Sequence, residues 1–427
     1  MEGSLGNDAP DGAAPASRPW TTVCLALVYF AAAVSRRPST LTNPQFWAED
    51  GGVFYKQARE LGFFETLVIP YGGYLLTWPR LVASVSSYFP LAYGPLVFNV
   101  AALLTQALPA IFLSSGRMRE LGPLPVRILL AVLYLGVPNV ATVMGNLSNA
   151  QWHLAILSFL IVVATPPRSA WAAAFDVIAL GLGALTGPFA AVLFPIAVGV
   201  AWVRRDRWSM VHAGILCVGA LTLPYTLGSS IRRTSIGGLG ASVAGFCQLL
   251  TFQVFVPVFR GINNSVHFLH PPSLLPMLSY TATAVGFMFL AYVFWRGSLE
   301  MRCFLVLGVL LLAASLANPA ASTIEPQWTA LKKSGSPPRY WFVPELVVTA
   351  AVVSFACTAG HRVLRAIGVV LVAVILAVDV AYWRLPALPD RGFPKFVAAF
   401  EAMPVGKELK IPIPPNWIFK LTKTARD

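Results

Sequence analysis

Charge is scarce in this sequence: only 11% of its 427 residues are Asp, Glu, Lys or Arg, and the 18 acidic residues are outnumbered by 31 basic ones. Soluble domains carry about a quarter charged residues, so an ordinary water-soluble globule is excluded. Histidine and cysteine are sparse too, five of each. Cys24, Cys217, Cys247, Cys303 and Cys357 show no CxxC spacing and lie mostly within apolar stretches. That argues against a disulfide framework or a cysteine zinc site and leaves small apolar packing residues. No Gly-X-Y period is present, and 56% of residues are hydrophobic, so the chain as a whole is neither collagen-like nor disordered. The net charge of +13 does not come from a basic stripe interleaved with aromatics, which argues against nucleic acid as a partner. The basic residues sit in loops between apolar runs, where anionic lipid headgroups lie.

Long apolar runs are what the sequence has in abundance, with a mean hydropathy of +0.68. A bilayer-spanning helix takes roughly 20 apolar residues. About eleven runs are candidates: 20–35, 91–114, 124–144, 150–166, 171–186, 188–203, 209–227, 275–295, 302–318, 341–359 and 363–383. The expected fold is all-α, a polytopic transmembrane helical bundle. The pair at 171–203 is short for two spans, and Thr186-Gly187-Pro188 marks a sharp turn between them; a re-entrant or half-buried hairpin is expected there. Residues 1–19 read as a disordered cytoplasmic tail. The run after them lacks a basic n-region and a small-residue cleavage site, so it reads as a retained first span. Residues 20–383 form the membrane domain, and 384–427 a short extracytoplasmic segment.

Orientation follows from the basic loops. Arg117, Arg119, Arg127, Arg168, Arg204, Arg205, Arg207, Arg296, Arg302, Arg362 and Arg365 fall on one side if the spans alternate, which makes that side cytoplasmic. Arg36 and Arg37 run against the trend. The outer side of the cytoplasmic membrane then receives the long connections 36–90, 228–274 and 319–340 and the C-terminal segment. Long polar and aromatic connections usually carry function.

Four outer clusters stand out. Trp47-Ala48-Glu49-Asp50-Gly51-Gly52 places two carboxylates just beyond the first span, where they must be solvated, paired or used. One of them can act as a general base toward a hydroxyl, or bind a hard divalent cation; the simpler alternative is a helix N-terminal signal. Tyr74 and Trp78-Pro79-Arg80 lie in an aromatic stretch that reads as interfacial helices, with Arg80 as a phosphate contact. Asn149, Gln151, Trp152 and His153 open the fourth span with groups able to hydrogen-bond a sugar, though capping and interfacial anchoring also suit them. Arg339-Tyr340, with Lys332 and Lys333 close by, offers either a snorkelling cation or a phosphate clamp. His267 and His270 are spaced to share a helix face as metal ligands, but no carboxylate accompanies them and Pro271-Pro272 follows, which speaks against a metal there.

These features together resemble the GT-C superfamily of integral-membrane glycosyltransferases, and particularly its bacterial members with a WAEDG-type first outer loop. The resemblance rests on Glu49-Asp50, Tyr74 with Pro79-Arg80, Leu185-Thr186-Gly187-Pro188, and Arg339-Tyr340-x-x-x-Pro344. It implies transfer of a sugar from a polyprenyl-phosphate carrier to a glycan, lipid or protein acceptor outside the cytoplasmic membrane, with that carrier and the bilayer as partners. It also implies that Asp50, or its neighbour Glu49, is the catalytic base or metal-interacting residue, and that Arg339 and Tyr340 lie by the carrier phosphate. Trp47, Tyr74, Asn149, Gln151, Trp152 and His153 are the expected substrate contacts. No cofactor is implied with certainty; a divalent cation is left open, with Asp50 its one suitable ligand. The chain departs from the best-known branches in having only a short segment after the last span. A polytopic lipid or solute transporter is the main alternative, suited to many spans and broken helices.

Overall fold

The computed structural model describes residues 19–227, 237–261, 275–333 and 337–425. Residues 1–18 of the expected tail, and His267 and His270, lie outside the described residues. Eleven helices form the bundle: α1 Pro19–Arg36, α2 Gly94–Leu113, α3 Leu124–Gly136, α4 Ala150–Val163, α5 Ala170–Ala184, α6 Phe189–Arg204, α7 Arg207–Leu227, α8 Leu275–Arg296, α9 Leu299–Ala317, α10 Phe342–Thr358 and α11 Arg362–Ala381. Among the described residues six helices are long and apolar enough to cross a membrane by length and composition, and several shorter apolar ones accompany them. At the centre is α4, every residue of which is buried. Its apolar character on all sides is what a helix without a solvent or lipid face requires.

Contacts between connections sort the bundle into two ends. At one end Arg37 donates to Ala141 O, Met144 O and Pro386 O, Thr77 to Leu185 O, and Thr226 to Gly73 O. The connections that follow α1, α3, α5, α7 and α11 therefore come together. At the other end Arg117 meets Thr165 and Asp176, and Arg204 meets Ala164 and Glu300, joining those that follow α2, α4, α6 and α8. The ends alternate along the chain in the order that the arginine spacing predicts. Arg36 and Arg37 do not face headgroups at all: they are 1% and 5% exposed, and Arg36 closes the end of α3 through Leu135 O at 2.6 Å and Val137 O at 2.9 Å. Their conflict with the charge trend disappears because backbone carbonyls take up their donors.

The turn of the short pair α5–α6 sits at the first end, beside Leu75 and Leu76, while Asp176 and Arg204 belong to the second. The connection 228–274 contains an apolar helix, Val243–Arg260, with a π-helical turn at Thr251–Phe255. Both its ends lie against groups of the first end. Gly245 approaches Trp328, whose indole donates to Leu316 O at the close of α9, and Gly261 approaches Tyr382 beyond α11. The helix packs along α8, where Thr251 donates to Ser279 O at 3.2 Å and Thr283 to Cys247 O at 3.3 Å.

The segment after α11 is more than a tail. A helix, Phe393–Ala402, leads into an antiparallel hairpin of β1 Glu408–Ile413 and β2 Trp417–Thr422, the one sheet among the described residues in an otherwise helical molecule. Its inward residues Ile411, Ile413, Phe419 and Leu421 join Phe46, Phe54, Tyr55 and Phe98 in a separate outer core. Phe46, fully buried, has ring centroids of Tyr55, Phe98, Phe419 and Phe393 at 4.8, 5.2, 5.7 and 5.8 Å. Such aromatic packing adds to simple area burial, and it fixes the first long connection against the C-terminal hairpin.

Candidate functional site

The acidic pair is split by its own backbone. Ala48 is held at φ +32, a conformation uncommon for a residue with a Cβ, and its N–H donates to Pro414 O at 2.7 Å. Asp50 then begins a π-helical turn, Asp50–Tyr55. Two glycines let the turn pass under the hairpin. A Cβ on Gly51 would lie 2.8 Å from Phe46 Cβ, and one on Gly52 would lie 3.1 Å from the Trp417 ring. As a result the neighbours face opposite ways: Glu49 lines a cavity of about 620 Å³, and Asp50 does not.

Asp50 is fully buried. Ser148 Oγ donates to its Oδ1 at 2.5 Å and Leu147 N–H to its Oδ2 at 3.1 Å. Burial pushes its carboxyl up to about 7, against the hydrogen bonds that favour the charged form. Sequence offers Asp50, or its neighbour Glu49, as base or metal ligand. In the structure each Asp50 oxygen accepts a protein donor, which ties the first long connection to the entry of α4. No three His, Cys, Asp or Glu side chains gather as a metal site among the described residues.

Across the cavity stand Arg339 and Tyr340, on a short 3₁₀ turn, Pro338–Tyr340, just before α10. The Arg339 guanidinium lies 5.0 Å over the Tyr340 ring, and the Tyr340 hydroxyl accepts Ala320 N–H at 2.9 Å. Tyr74 lines the same cavity and is the point where both walls are felt. Burial raises its hydroxyl above the ordinary tyrosine value, Gln151 and Arg339 act to lower it, and Tyr340 and Glu49 raise it further. The other lining residues that sequence singled out are Trp47, Asn149, Gln151 and Trp152.

The Leu185-Thr186-Gly187-Pro188 turn is the scaffold for this wall. Thr77 N–H donates to Leu185 O at 3.1 Å, Trp78 N–H to Thr186 Oγ1 at 3.0 Å and Gly187 N–H to Leu75 O at 2.8 Å. Gly187 has φ +91, and a Cβ there would collide with Gln151 Oε1, so this position needs glycine. At the entry of α4, Asn146 Oδ1 accepts from both the backbone and the side-chain nitrogen of Asn149, at 3.1 and 2.9 Å.

Several expected contacts lie elsewhere. Arg80 is 1% exposed, stacked 5.4 Å from the Phe54 ring and donating to Gln57 Oε1 at 2.8 Å; burial lowers its guanidinium to about 10. It stacks on Phe54, which lines the cavity, and does not itself line it. His153 is buried between the Tyr134 hydroxyl at 2.6 Å and Val143 O at 3.1 Å, a bridging role within the bundle. Lys333 is paired with Glu325 at 2.6 Å, and neither it nor Lys332 lines the cavity. Conversely, Pro415 and Trp417 of the hairpin, and Ser315 and Asn318 at the end of α9, do line it. Only the alternation of Leu409, Ile411 and Ile413 with Trp417, Phe419 and Leu421 pointed to the hairpin, and three prolines masked it. No protein-family model matches the chain, and no curated protein matches it either.

Proposed function

We propose that the chain is a multi-pass glycosyltransferase of the cytoplasmic membrane, with its N-terminus cytoplasmic and its C-terminal unit extracytoplasmic. It moves a sugar from a polyprenyl-phosphate carrier to an acceptor hydroxyl. The observation that carries this is that Glu49 and Arg339, 290 positions apart in sequence, line one cavity while neither has an oppositely charged partner within ion-pair distance among the described residues.

The roles follow from charge. The acceptor oxygen attacks the anomeric carbon as the carbon–phosphate-oxygen bond breaks, and Glu49 takes the hydroxyl proton. Such proton removal contributes about 10²–10⁴-fold. Polyprenyl phosphate leaves with its negative charge facing Arg339 and the Tyr340 hydroxyl. A single in-line displacement inverts the sugar carbon. The carrier's tail has apolar surface to follow: Val192 and Leu311 in the cavity wall, then a second cavity of about 150 Å³ further along α4, α9 and α10, lined by Phe159, Phe304 and Leu346.

The test is to incubate the purified protein in nanodiscs with labelled polyprenyl-phosphate sugars and envelope acceptors. The expected result is release of polyprenyl phosphate and a product of inverted anomeric configuration. Movement of the intact lipid across the bilayer, with the sugar–phosphate bond unbroken, would instead establish a transporter.

A further inference from the structure

The C-terminal hairpin closes one side of the cavity, and its contribution is aromatic. Trp417, partly exposed, and Pro415, exposed, enter the lining beside Trp47 and Tyr71. This edge is built to hold its shape. Arg391 Nη2 donates to Pro415 O at 2.6 Å and Asn416 Oδ1 at 2.5 Å, and the Arg391 backbone N–H donates to Gln45 Oε1 at 2.8 Å. The Trp417 ring rests on Gly52, three residues past Glu49, and Trp417 and Glu49 line the same cavity. Among the described residues, the only charged ones in the cavity lining are Glu49 and Arg339.

We infer that this aromatic edge is the acceptor subsite and that the acceptor is a neutral saccharide, bound by stacking of a sugar ring on Trp417. The inference rests on the glycosyltransferase reading above. A sugar ring presents an apolar C–H face to an indole and hydroxyls at its rim, so one ring can lie on Trp417 and offer a hydroxyl toward Glu49. An anionic acceptor would meet the Glu49 carboxylate with repulsion. A lipid acceptor would need a continuous apolar surface, whereas between Pro415 and Trp417 this edge exposes Asn416, its amide oxygen held by Arg391.

The experiment uses the full-length protein in nanodiscs and two probes: an array of short neutral pentose and hexose oligosaccharides, with Ser- and Thr-containing peptides alongside, and a short-chain polyprenyl phosphate. The wild type is expected to retain a subset of the oligosaccharides and none of the peptides. Trp417→Leu keeps an apolar side chain over Gly52 and should weaken that retention about tenfold, whereas Trp417→Phe should weaken it only about two- to threefold. Binding of polyprenyl phosphate should be unchanged in both variants, which also shows that they are folded. Retention of peptides instead of oligosaccharides, retention of neither, or equal saccharide binding by Trp417→Leu and wild type overturns the inference. Trp417-dependent saccharide binding by a protein that ignores polyprenyl phosphate supports the subsite and overturns the donor assignment.

Discussion

The arginines that close helices and the one in the cavity do different things. Arg36 closes α3 at the cavity end, and at the far end four more do the same. Arg127 donates to Ser114 O at 3.3 Å beyond α2, Arg204 to Val163 O and Ala164 O at 2.5 and 2.6 Å beyond α4, Arg302 to Phe294 O and Trp295 O at 2.9 and 3.1 Å in α8, and Arg365 to Ala359 O at 2.6 Å beyond α10. The last carbonyls of a helix have no partner within it, and a guanidinium near them also meets the negative end of the dipole. Arg339 closes nothing. It stands before a helix, over a tyrosine ring, with no carboxylate within ion-pair distance among the described residues. The same contrast divides Asp50, whose oxygens are filled by Ser148 and Leu147, from Glu49 in the cavity. Glu49 and Arg339 share one cavity without an ion-pair partner among the described residues.

The contrast can be broken by substitution at each kind of position. Arg339→Ala is expected to lower kcat/KM for the lipid-linked donor about 100-fold, with partial recovery in Arg339→Lys, because a point charge replaces the two-pronged donor. Steady-state kinetics with the polyprenyl-phosphate sugar check this, and unchanged kinetics would put Arg339 with the helix-closing arginines.

Asp50→Ala should lower stability by about 1–3 kcal/mol, since it strands the buried Leu147 N–H and Ser148 hydroxyl. Asp50→Asn should cost much less, its amide accepting from one and donating to the other. The pH dependence has a definite sign. The Asp50 carboxyl sits at about 7 in the fold against an ordinary 3.8, so the folded state holds its proton more tightly. Its contribution is fully present below about pH 4 and is lost as pH rises through about 7. Thermal melts across that range should show a shallower slope in Asp50→Asn than in the wild type. The smallest effect belongs to Arg302→Ala: a loss of about 0.3–1 kcal/mol from one helix end, seen in the melt, with donor kinetics unaltered.

Much of the bundle was legible in the sequence because hydropathy reports burial in lipid or protein alike: 275–295 and 302–318 were expected where Leu275–Arg296 and Leu299–Ala317 stand. The site's two walls were legible as well, since a charge beside an apolar run is costly enough to draw attention. What stayed hidden depends on backbone direction. Nothing in Glu49-Asp50 tells which carboxylate turns inward, as that is decided by φ at Ala48 and by the packing of Phe46. Val243–Arg260 escaped because Gln248, Gln253 and Pro257 interrupt its apolar run. Arg80 and His153 show the same dependence on the fold: a polar group among aromatics looks free in sequence, and the folded chain supplies Gln57, Phe54, Tyr134 and Val143 as its neighbours.

Glu49→Gln and Asp50→Asn, assayed side by side for transfer from the same polyprenyl-phosphate sugar in the same nanodiscs, test the division between these adjacent carboxylates most directly. Glu49→Gln should lose about 10²–10⁴-fold of the rate, the worth of a positioned base, while Asp50→Asn stays within about tenfold of the wild type. The reverse order, with Asp50→Asn inactive and Glu49→Gln near the wild-type rate, would contradict the assignment of the base to the cavity wall.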